Sequence, residues 1–312
     1  MSACAARPGL PNLHCHLDGS LRPDTLAELA RAAGVAVPRD LAFAPGMGLQ
    51  EALARFAFTL SLLQTPAAVT RVADEMCLDA AIDGVHTLEV RFAPQLHGGG
   101  TLEEIVDAAL DGLAGRAGLI LCALYGEDPA VAEALVEVAA SRPGVVGLDL
   151  AGGPAPDHRF GMRDYAGAFE QAKALGIGRT VHAGEGRPPA EIRVAIEVLH
   201  AQRIGHGTTL LDDPSVVELV RERGVTIEAC PTSNWHTGAI PTATAHPMAR
   251  WLDAGIRVCV NPDNTLLSAV SASEEHARAA TLDGMRPALL ARAIGFGHAA
   301  AFTRSPAGTP SG

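Results

Sequence analysis

The stretch Leu13-His14-Cys15-His16-Leu17-Asp18-Gly19-Ser20 near the start of the chain places two histidines one residue apart. This spacing predicts a strand over Leu13–His16, on which both imidazoles point to the same side because strand side chains repeat every second residue. Two imidazoles on one face can share one metal ion, although an isolated pair is a weak signal in a chain with 12 histidines. Three residues far downstream strengthen the signal: His182, His206 and Asp263.

Short runs rich in β-branched residues alternate with longer stretches that carry the period of a helix. We predict strands at Leu13–His16, Thr87–Phe92, Leu119–Tyr125, Val145–Leu150, Arg179–Ala183, Arg203–His206, Val225–Ala229 and Arg257–Val260. The predicted helices are Pro23–Ala33, Leu49–Leu63, Pro66–Asp83, Leu102–Ala114, Pro129–Ala140, Tyr165–Leu175, Pro188–His200, Pro214–Arg223 and Pro247–Ala254. Several begin at proline or a polar cap and end at glycine, which are ordinary helix boundaries.

Eight strands, each followed by a helix, predict an α/β fold with a single (β/α)8 TIM-type barrel and extra helices between the first and second strands. The polar residues singled out above lie at the C-terminal ends of predicted strands, where barrel active sites assemble. A doubly wound open sheet with ordinary polar loops is the alternative. Since no repeat or composition break marks a second domain, we expect one barrel domain over residues 1–303 and a flexible C-terminal tail over residues 304–312.

The composition suits a globular protein with a large core. The 312 residues are 48% hydrophobic and 19% charged, and the formal net charge is −11. This charge argues against a nucleic-acid backbone or an anionic membrane as the main partner. We find no apolar stretch long enough to span a bilayer and no signal-peptide core, so we expect a cytoplasmic protein. The six cysteines are scattered without a Cys-x-x-Cys, which is typical of reduced, buried thiols.

Three imidazoles and one carboxylate at predicted strand ends form a candidate metal site: His14, His16, His182 and Asp263. Zinc prefers nitrogen and carboxylate ligands, and a catalytic zinc keeps one position open for water. The first and eighth strands of a closed barrel are neighbours, so Asp263 can meet the histidine pair, and His182 can reach it from across the rim. Any one of these histidines alone would more often be structural, and only the set indicates a metal.

Glu185 and His206 are the candidate catalytic residues. Glu185 lies three residues after His182, where a carboxyl near a metal can be poised to exchange a proton. It could instead cap the following helix. His206 ends the sixth strand between two glycines, which leave the imidazole uncrowded. It could be a fourth ligand, a base that orients and deprotonates a metal-bound water, or a buried histidine bonded to backbone.

Three more residues at strand ends are candidates for substrate contact. Asp18 could accept hydrogen bonds from substrate hydroxyls, or cap the helix near Pro23. Gly152 follows the fourth strand, where a glycine lets backbone N–H groups contact a planar ligand or serves as a loop hinge. Adjacent turn residues usually diverge, so Asn264 could face the substrate while Asp263 binds the metal. A plain turn is the alternative for this pair.

Glu89 and Arg91 alternate on the second predicted strand and can both face the barrel interior. We interpret them as a structural ion pair rather than a catalytic one, because charges buried in a protein are usually paired.

Seven motifs in order over nearly the whole chain resemble the adenosine deaminase family of the metal-dependent amidohydrolase superfamily. They are His-Cys-His-Leu-Asp-Gly-Ser-Leu (14–21), Leu-Glu-Val-Arg-Phe-Ala-Pro (88–94), Leu-Asp-Leu-Ala-Gly (148–152), Thr-Val-His-Ala-Gly-Glu (180–185), Arg-Ile-Gly-His-Gly (203–207), Cys-Pro-Thr-Ser-Asn (230–234) and Asn-Pro-Asp-Asn (261–264). Together these motifs are highly specific.

The resemblance implies one Zn2+ per chain, held by His14, His16, His182 and Asp263. It implies Glu185 as the proton donor to the purine ring and His206 as the residue that activates the water. It also implies substrate contacts from His16, Asp18, Gly152 and Asn264. A second metal bridged by a carboxylated lysine is not expected, because the only lysine, Lys173, falls on a predicted helix. The His-x-Glu and Pro-Cys-x-x-Cys signature of cytidine-deaminase zinc sites is absent.

The sequence departs from the family pattern at two places. The family often has a second aspartate where this chain has Asn264. An asparagine amide can donate to a purine nitrogen without needing a proton, so we expect the chemistry to survive with some change in affinity or substrate range. The segment Leu124-Tyr125-Gly126-Glu127 lacks a basic residue found in many relatives. This second departure concerns the distal part of the substrate.

The function implied by the resemblance is zinc-dependent hydrolytic deamination of adenosine or a close 6-aminopurine nucleoside, with release of ammonia and the 6-oxo product. The alternatives with the same chemistry are deamination of aminodeoxyfutalosine, free adenine or a methylated nucleotide. A different class of alternative is a catalytically silent binding protein on the same barrel. The expected partner is a small purine nucleoside, and the sequence leaves the oligomeric state open.

Overall fold

The computed structural model describes residues 9–303, and their eight strands pair in parallel in the order in which they occur along the chain. The strands are β1 (Leu10–Asn12), β2 (Val85–Phe92), β3 (Gly118–Leu124), β4 (Val145–Ala151), β5 (Gly178–Ala183), β6 (Arg203–His206), β7 (Thr226–Ala229) and β8 (Arg257–Val260). Backbone bonds beyond the ends of β1 and β8 join the two edges: His16 N–H donates to Asp263 O over 2.8 Å, and Asp263 N–H donates to His14 O over 3.1 Å. The barrel prediction is confirmed.

Helices surround the strands. Those of the described residues are α1 (Pro23–Ala33), α2 (Leu49–Leu62), α3 (Pro66–Ile82), α4 (Leu102–Leu113), α5 (Pro129–Ala140), α6 (Ala166–Ala174), α7 (Ala190–Glu197), α8 (Pro214–Arg223), α9 (Pro231–His236), α10 (Met248–Asp253), α11 (Ala272–Ala279) and α12 (Pro287–Ala300). As predicted, extra helices lie between β1 and β2. No single helix within residues 9–303 has the length and apolarity to cross a bilayer; α2 and α3 meet that test only as a pair bent by 116°.

The first predicted strand is wrong in position. β1 ends at Asn12, and Leu13–His16 is the segment that follows it. Leu13 N–H donates to the Asn261 side chain over 2.8 Å, and the segment pairs with its neighbours only through isolated bridges, Cys15 with Asp263 and His16 with Arg91. The histidine pair therefore lies past the end of β1, at the C-terminal rim of the barrel, and not within the strand.

Most other boundaries agree to within one or two residues, but three helices were not predicted: α9, α11 and α12. Their signals are present in the sequence. Pro231 and Pro287 stand at first helical positions, and Ser271 and Glu274 form a capping box in which each side chain bonds the other residue's backbone N–H. The predicted flexible tail, residues 304–312, lies outside the described residues.

The interior of the barrel beneath the rim is charged. Glu89 and Arg91 both face inward from β2, but the predicted ion pair between them is wrong. Arg91 pairs with Asp149 (2.7 Å) and Glu228 (2.9 Å), whereas Glu89 pairs with Arg203 (2.5 Å). Inward residues of strands that are not neighbours meet across the barrel axis, whereas two residues on one strand are held apart along it. Each charge therefore finds its partner on another strand.

The N-terminal mouth of the barrel is closed by the segment after α12. The Phe302 ring stacks on the Arg203 guanidinium, 3.6 Å from its central carbon, and the Phe302 N–H donates to Glu89 over 2.5 Å. A Cβ on Gly178 would lie 2.2 Å from this ring, and one on Gly147 would lie 2.9 Å from it. These two glycines therefore make room for the Phe302 ring, and the rim that carries the histidines is at the opposite, open end of the barrel.

Candidate active site

Four side chains converge at the C-terminal rim: His14, His16, His182 and Asp263. His16 Nε2 lies 3.3 Å from His182 Nε2. Asp263 Oδ1 lies 3.4 Å from His14 Nε2 and 3.5 Å from His16 Nε2. Four ligands at about 2.1 Å from a tetrahedral zinc would stand about 3.4 Å apart, so these donor atoms have the spacing of a zinc shell.

The chemistry of the donor set also fits a metal. His14 is fully buried, and its Nε2 atom has no hydrogen-bond partner in the described part of the chain. Leaving such an atom unsatisfied is costly, whereas coordination would satisfy it. Cys230 lies near His14 and Asp263 and could join a different donor set. Burial raises the pKa of the Cys230 thiol well above its ordinary value.

Two buried carboxylates hold the histidines from behind. Glu228 accepts from His14 Nδ1 over 2.7 Å, and Asp149 accepts from His182 Nδ1 over 3.2 Å. Burial alone would raise the pKa of both carboxyls, but Arg91 and the histidines lower the pKa below its usual range. The carboxylates are therefore acceptors, which fixes hydrogen on Nδ1 and turns each unprotonated Nε2 toward the cluster. Such outer partners orient metal ligands.

Two residues at the rim have backbone conformations that are uncommon for non-glycine residues. His206 has φ 68° and Asp263 has φ 66°, both in the left-handed region. Each conformation costs roughly 1–3 kcal/mol and is retained only where the surroundings enforce it. For Asp263 the enforcing contacts are its two backbone bonds with the segment after β1. The strain turns both side chains into the same cavity.

Glu185 lies beside this cluster and is not a helix cap, since α7 begins at Ala190. Its Oε1 atom accepts from the Thr237 hydroxyl over 2.9 Å and from the Asn234 amide over 3.4 Å. Its Oε2 atom faces His206 Nε2 at 3.8 Å. Burial, and after it the negative charge of Asp263, raises the pKa of Glu185 to about 7. Because Oε1 is occupied as an acceptor, a proton on this carboxyl belongs on Oε2.

A cavity of about 280 Å³ opens above the cluster. Every predicted site residue lines it except His14, which lies behind the others. Asp18 and Asn264 are both buried, and the Oδ1 atom of each has no hydrogen-bond partner within residues 9–303. Burial raises the pKa of Asp18 to about 7. Asp18 does not cap α1, whose N-terminus has no side-chain cap, so its carboxyl remains available to a ligand.

Comparison with known proteins places this geometry in a family. The chain matches the family model "Adenosine deaminase" over residues 10–307. The chain belongs to the adenosine deaminase family. It is 37% identical over 288 residues to an adenosine deaminase of Enterococcus faecalis, covering 86% of this chain and 84% of that protein.

Two solved structures resemble this family member over nearly its full length. An adenine deaminase of Arthrobacter aurescens superposes with a TM-score of 0.86 at 25% identity, covering 96% of this chain and 95% of the other. An amidohydrolase of Burkholderia ambifaria with bound zinc superposes with a TM-score of 0.83 at 27% identity, covering 95% and 86%. The deaminase-family chain is therefore a hydrolase acting on C–N bonds.

The sequence analysis assigned no role to four residues of the deaminase that hydrogen-bond to its candidate metal ligands or catalytic residues: Asp149, Glu228, Asn234 and Thr237. Asp149 and Glu228 are each the one charged residue of their strand, and that pattern could have identified them. Asn234 ends the quoted Cys-Pro-Thr-Ser-Asn motif without a role assigned to it. Thr237 carries no local signal, because only the turn of α9 brings its hydroxyl to Glu185.

The far wall of the deaminase cavity is apolar and uncharged. Leu49, Leu53 and Phe56 of α2 line it together with Gly152, whose φ of 75° is left-handed. Among the described residues that line the cavity there is no lysine or arginine. Glu127, from the segment that lacks the expected basic residue, instead accepts from the Gln95 amide over 3.0 Å. The cavity therefore offers no strong cation to a phosphate.

Proposed function

We propose that this protein catalyses zinc-dependent hydrolytic deamination of adenosine or a closely related 6-aminopurine nucleoside. The observation that carries the proposal is the joining, in one cavity, of a three-histidine, one-aspartate donor set with a carboxyl whose pKa is raised to about 7. This combination suits addition of water to a ring carbon while a ring nitrogen is protonated. Membership of the adenosine deaminase family supports it.

The residues divide the work by position. His14, His16, His182 and Asp263 would hold one Zn2+. Zinc at this site would lower the pKa of a bound water and supply a nucleophile near neutral pH. Glu185 would give its Oε2 proton to the purine ring, and His206 would orient the attacking water. Both face the same space, with 3.8 Å between Glu185 Oε2 and His206 Nε2.

The remaining site residues are proposed to bind the nucleoside. Asp18 and His16 would contact the ribose hydroxyls, which can donate to the unpartnered Asp18 oxygen. The backbone at Gly152 and the amide of Asn264 would hold the purine ring. Beyond Gly152 and its chain neighbours, no atom of the described residues lies within 4 Å of the position where a Cβ on Gly152 would stand, so a flat ring can approach the backbone there.

The same geometry weighs against the other substrates. Free adenine would leave the buried Asp18 carboxyl without a partner. A nucleoside 5′-phosphate would enter a cavity with carboxyls and no lysine or arginine in its described lining. A silent binding protein would not need the full donor set together with a protonatable Glu185. Adenosine is therefore the favoured substrate, and purine nucleoside metabolism is the proposed setting.

The test is a substrate panel with the zinc-loaded protein, measured by ammonia release: adenosine, 2′-deoxyadenosine, adenine, AMP and a 5′-extended adenine nucleoside. We expect adenosine to have the highest kcat/KM. A higher value for the 5′-extended nucleoside or for adenine would reassign the substrate. Purified protein without stoichiometric zinc, and without activity after zinc is added, would contradict the whole proposal.

We also propose a cytoplasmic location. The cysteines of the described residues, Cys15, Cys77, Cys122, Cys230 and Cys259, are all free and buried, as expected for a protein kept in a reducing compartment.

A further inference from the structure

A chain of hydrogen bonds runs from the backbone after β7 to His206. Met248 N–H donates to His246 Nδ1 over 3.2 Å. His246 Nε2 lies 3.2 Å from Asn234 Oδ1, and Asn234 Nδ2 lies 2.9 Å from His206 Nδ1. His246 and Asn234 are both buried, and neither lines the cavity. We call this series of hydrogen bonds, Met248–His246–Asn234–His206, the relay.

The direction of every bond in the relay follows from its first donor. A backbone N–H can only donate, so His246 Nδ1 accepts and a neutral His246 carries its hydrogen on Nε2. His246 has no carboxylate partner among the described residues, and burial lowers its pKa to about 3, so the ring is neutral. Its Nε2–H therefore donates to Asn234 Oδ1, and this contact fixes which end of the amide is oxygen.

The orientation of the Asn234 amide then determines the proton on His206. The Nδ2 group of Asn234 is a donor, and it faces His206 Nδ1 and Glu185 Oε1. His206 Nδ1 must accept, so a neutral His206 carries hydrogen on Nε2. That nitrogen points toward Glu185 Oε2 and the cavity.

We propose that Asn234 and His246 are positioning residues that hold His206 as its Nε2–H tautomer, so that His206 faces the reacting water as a hydrogen-bond donor. A ring nitrogen that already carries hydrogen cannot accept the water's proton. In its neutral form His206 thus orients the water by donating to its oxygen and does not accept its proton. The same Asn234 amide also donates to Glu185 Oε1, so one side chain determines which atom carries hydrogen in both His206 and Glu185. This inference rests on the proposed function.

The decisive measurement is the tautomer of His206 in the zinc-loaded protein. Ring nitrogens with and without hydrogen have well-separated ¹⁵N shifts, so ¹⁵N-histidine labelling reads them directly, with His206→Asn used for assignment. We expect Nδ1 of His206 to be unprotonated and Nε2 protonated. Asn234→Asp replaces the donor by an acceptor, and we expect it to exchange the two states. Protonated Nδ1 in the unaltered protein, or an unchanged pattern in Asn234→Asp, would overturn the proposal.

Two variants of His246 separate positioning from packing. His246→Phe removes the donor to Asn234, and we expect kcat for adenosine to fall by roughly 10–100-fold, with KM within about threefold, as for other outer partners of a site. His246→Gln offers an amide N–H near the Nε2 position and should recover most of the kcat. Equal kcat in the two variants, with both folded by circular dichroism, would contradict a positioning role.

His276→Gln is the matched control, because His276 is a buried histidine bonded to backbone, at Ala272 O, away from the cavity. It should alter neither the His206 shifts nor kcat, and a change in either would show that the readout reports general packing and would overturn the assignment. Absence of turnover on every nucleoside, with the predicted tautomer present, would refute the proposed function and not the tautomer. The two failures are thus distinguishable.

Discussion

Replacing Glu185 by glutamine removes one transferable proton and keeps the shape of the side chain. Thr237 and Asn234 both donate to Oε1, so the glutamine carbonyl can occupy that position and its NH2 group can take the place of Oε2. The amide can donate a hydrogen bond, but it cannot give up a proton. The variant therefore tests proton transfer by Glu185 rather than its packing.

The expected loss follows from what a general acid contributes. Proton transfer by a positioned side chain is worth roughly 10²–10⁴-fold in rate. That range corresponds to about 3–5 kcal/mol of activation free energy. Because burial raises the pKa of Glu185 to about 7, its acid form is well populated at neutral pH, and we expect the loss in kcat to be about 10³-fold or more. Zinc content should not change, since Glu185 is not in the donor set.

The assay is the ultraviolet change that accompanies loss of the 6-amino group, measured with zinc determined on the same sample. Glu275→Gln is the matched control: burial raises the pKa of Glu275 to about 7 as well, but this carboxyl accepts from Thr232 outside the cavity. It should leave kcat within about threefold. A kcat within tenfold of the unaltered enzyme in Glu185→Gln, with zinc bound, would remove Glu185 as the acid.

Three further predictions concern the residues around this centre. Glu228→Gln should lower zinc affinity about 10–100-fold, measured by chelator competition, because it replaces the carboxylate that accepts from His14 Nδ1. It should also lower the free energy of unfolding in urea by about 3–5 kcal/mol, because it leaves buried arginine charge uncompensated. Asp18→Ala should raise KM for adenosine about tenfold and leave adenine unaffected, so equal effects on both would contradict a ribose contact. Folding raises the pKa of Glu275 from its ordinary value of 4.5 to about 7. Its contribution to the unfolding free energy is therefore full below pH 4.5 and is lost as pH rises through about 7. Glu275→Gln should flatten that dependence by up to about 3 kcal/mol, and an unchanged pH profile would refute it.

Much of the fold could be predicted because its signals are local. Strand and helix periods, prolines at first helical turns and the order of motifs are all properties of neighbouring residues. The barrel, its extra helices and the placement of polar residues at strand ends followed from them. The first strand was misplaced because its rim segment pairs with the chain beyond β8, nearly 250 residues away, and no neighbour of His14 carries that information.

The sequence by itself determined the chemistry available to this protein: three histidines and an aspartate, a carboxyl three residues after His182, and a family to which such a set belongs. The tertiary structure alone decided which charges meet. It paired Arg91 with Asp149 and Glu228 instead of with Glu89, because partners in a barrel are found across the axis and not along one strand. Only the folded chain connects His246 through Asn234 to His206, since the direction of each hydrogen bond depends on the donor that stands before it.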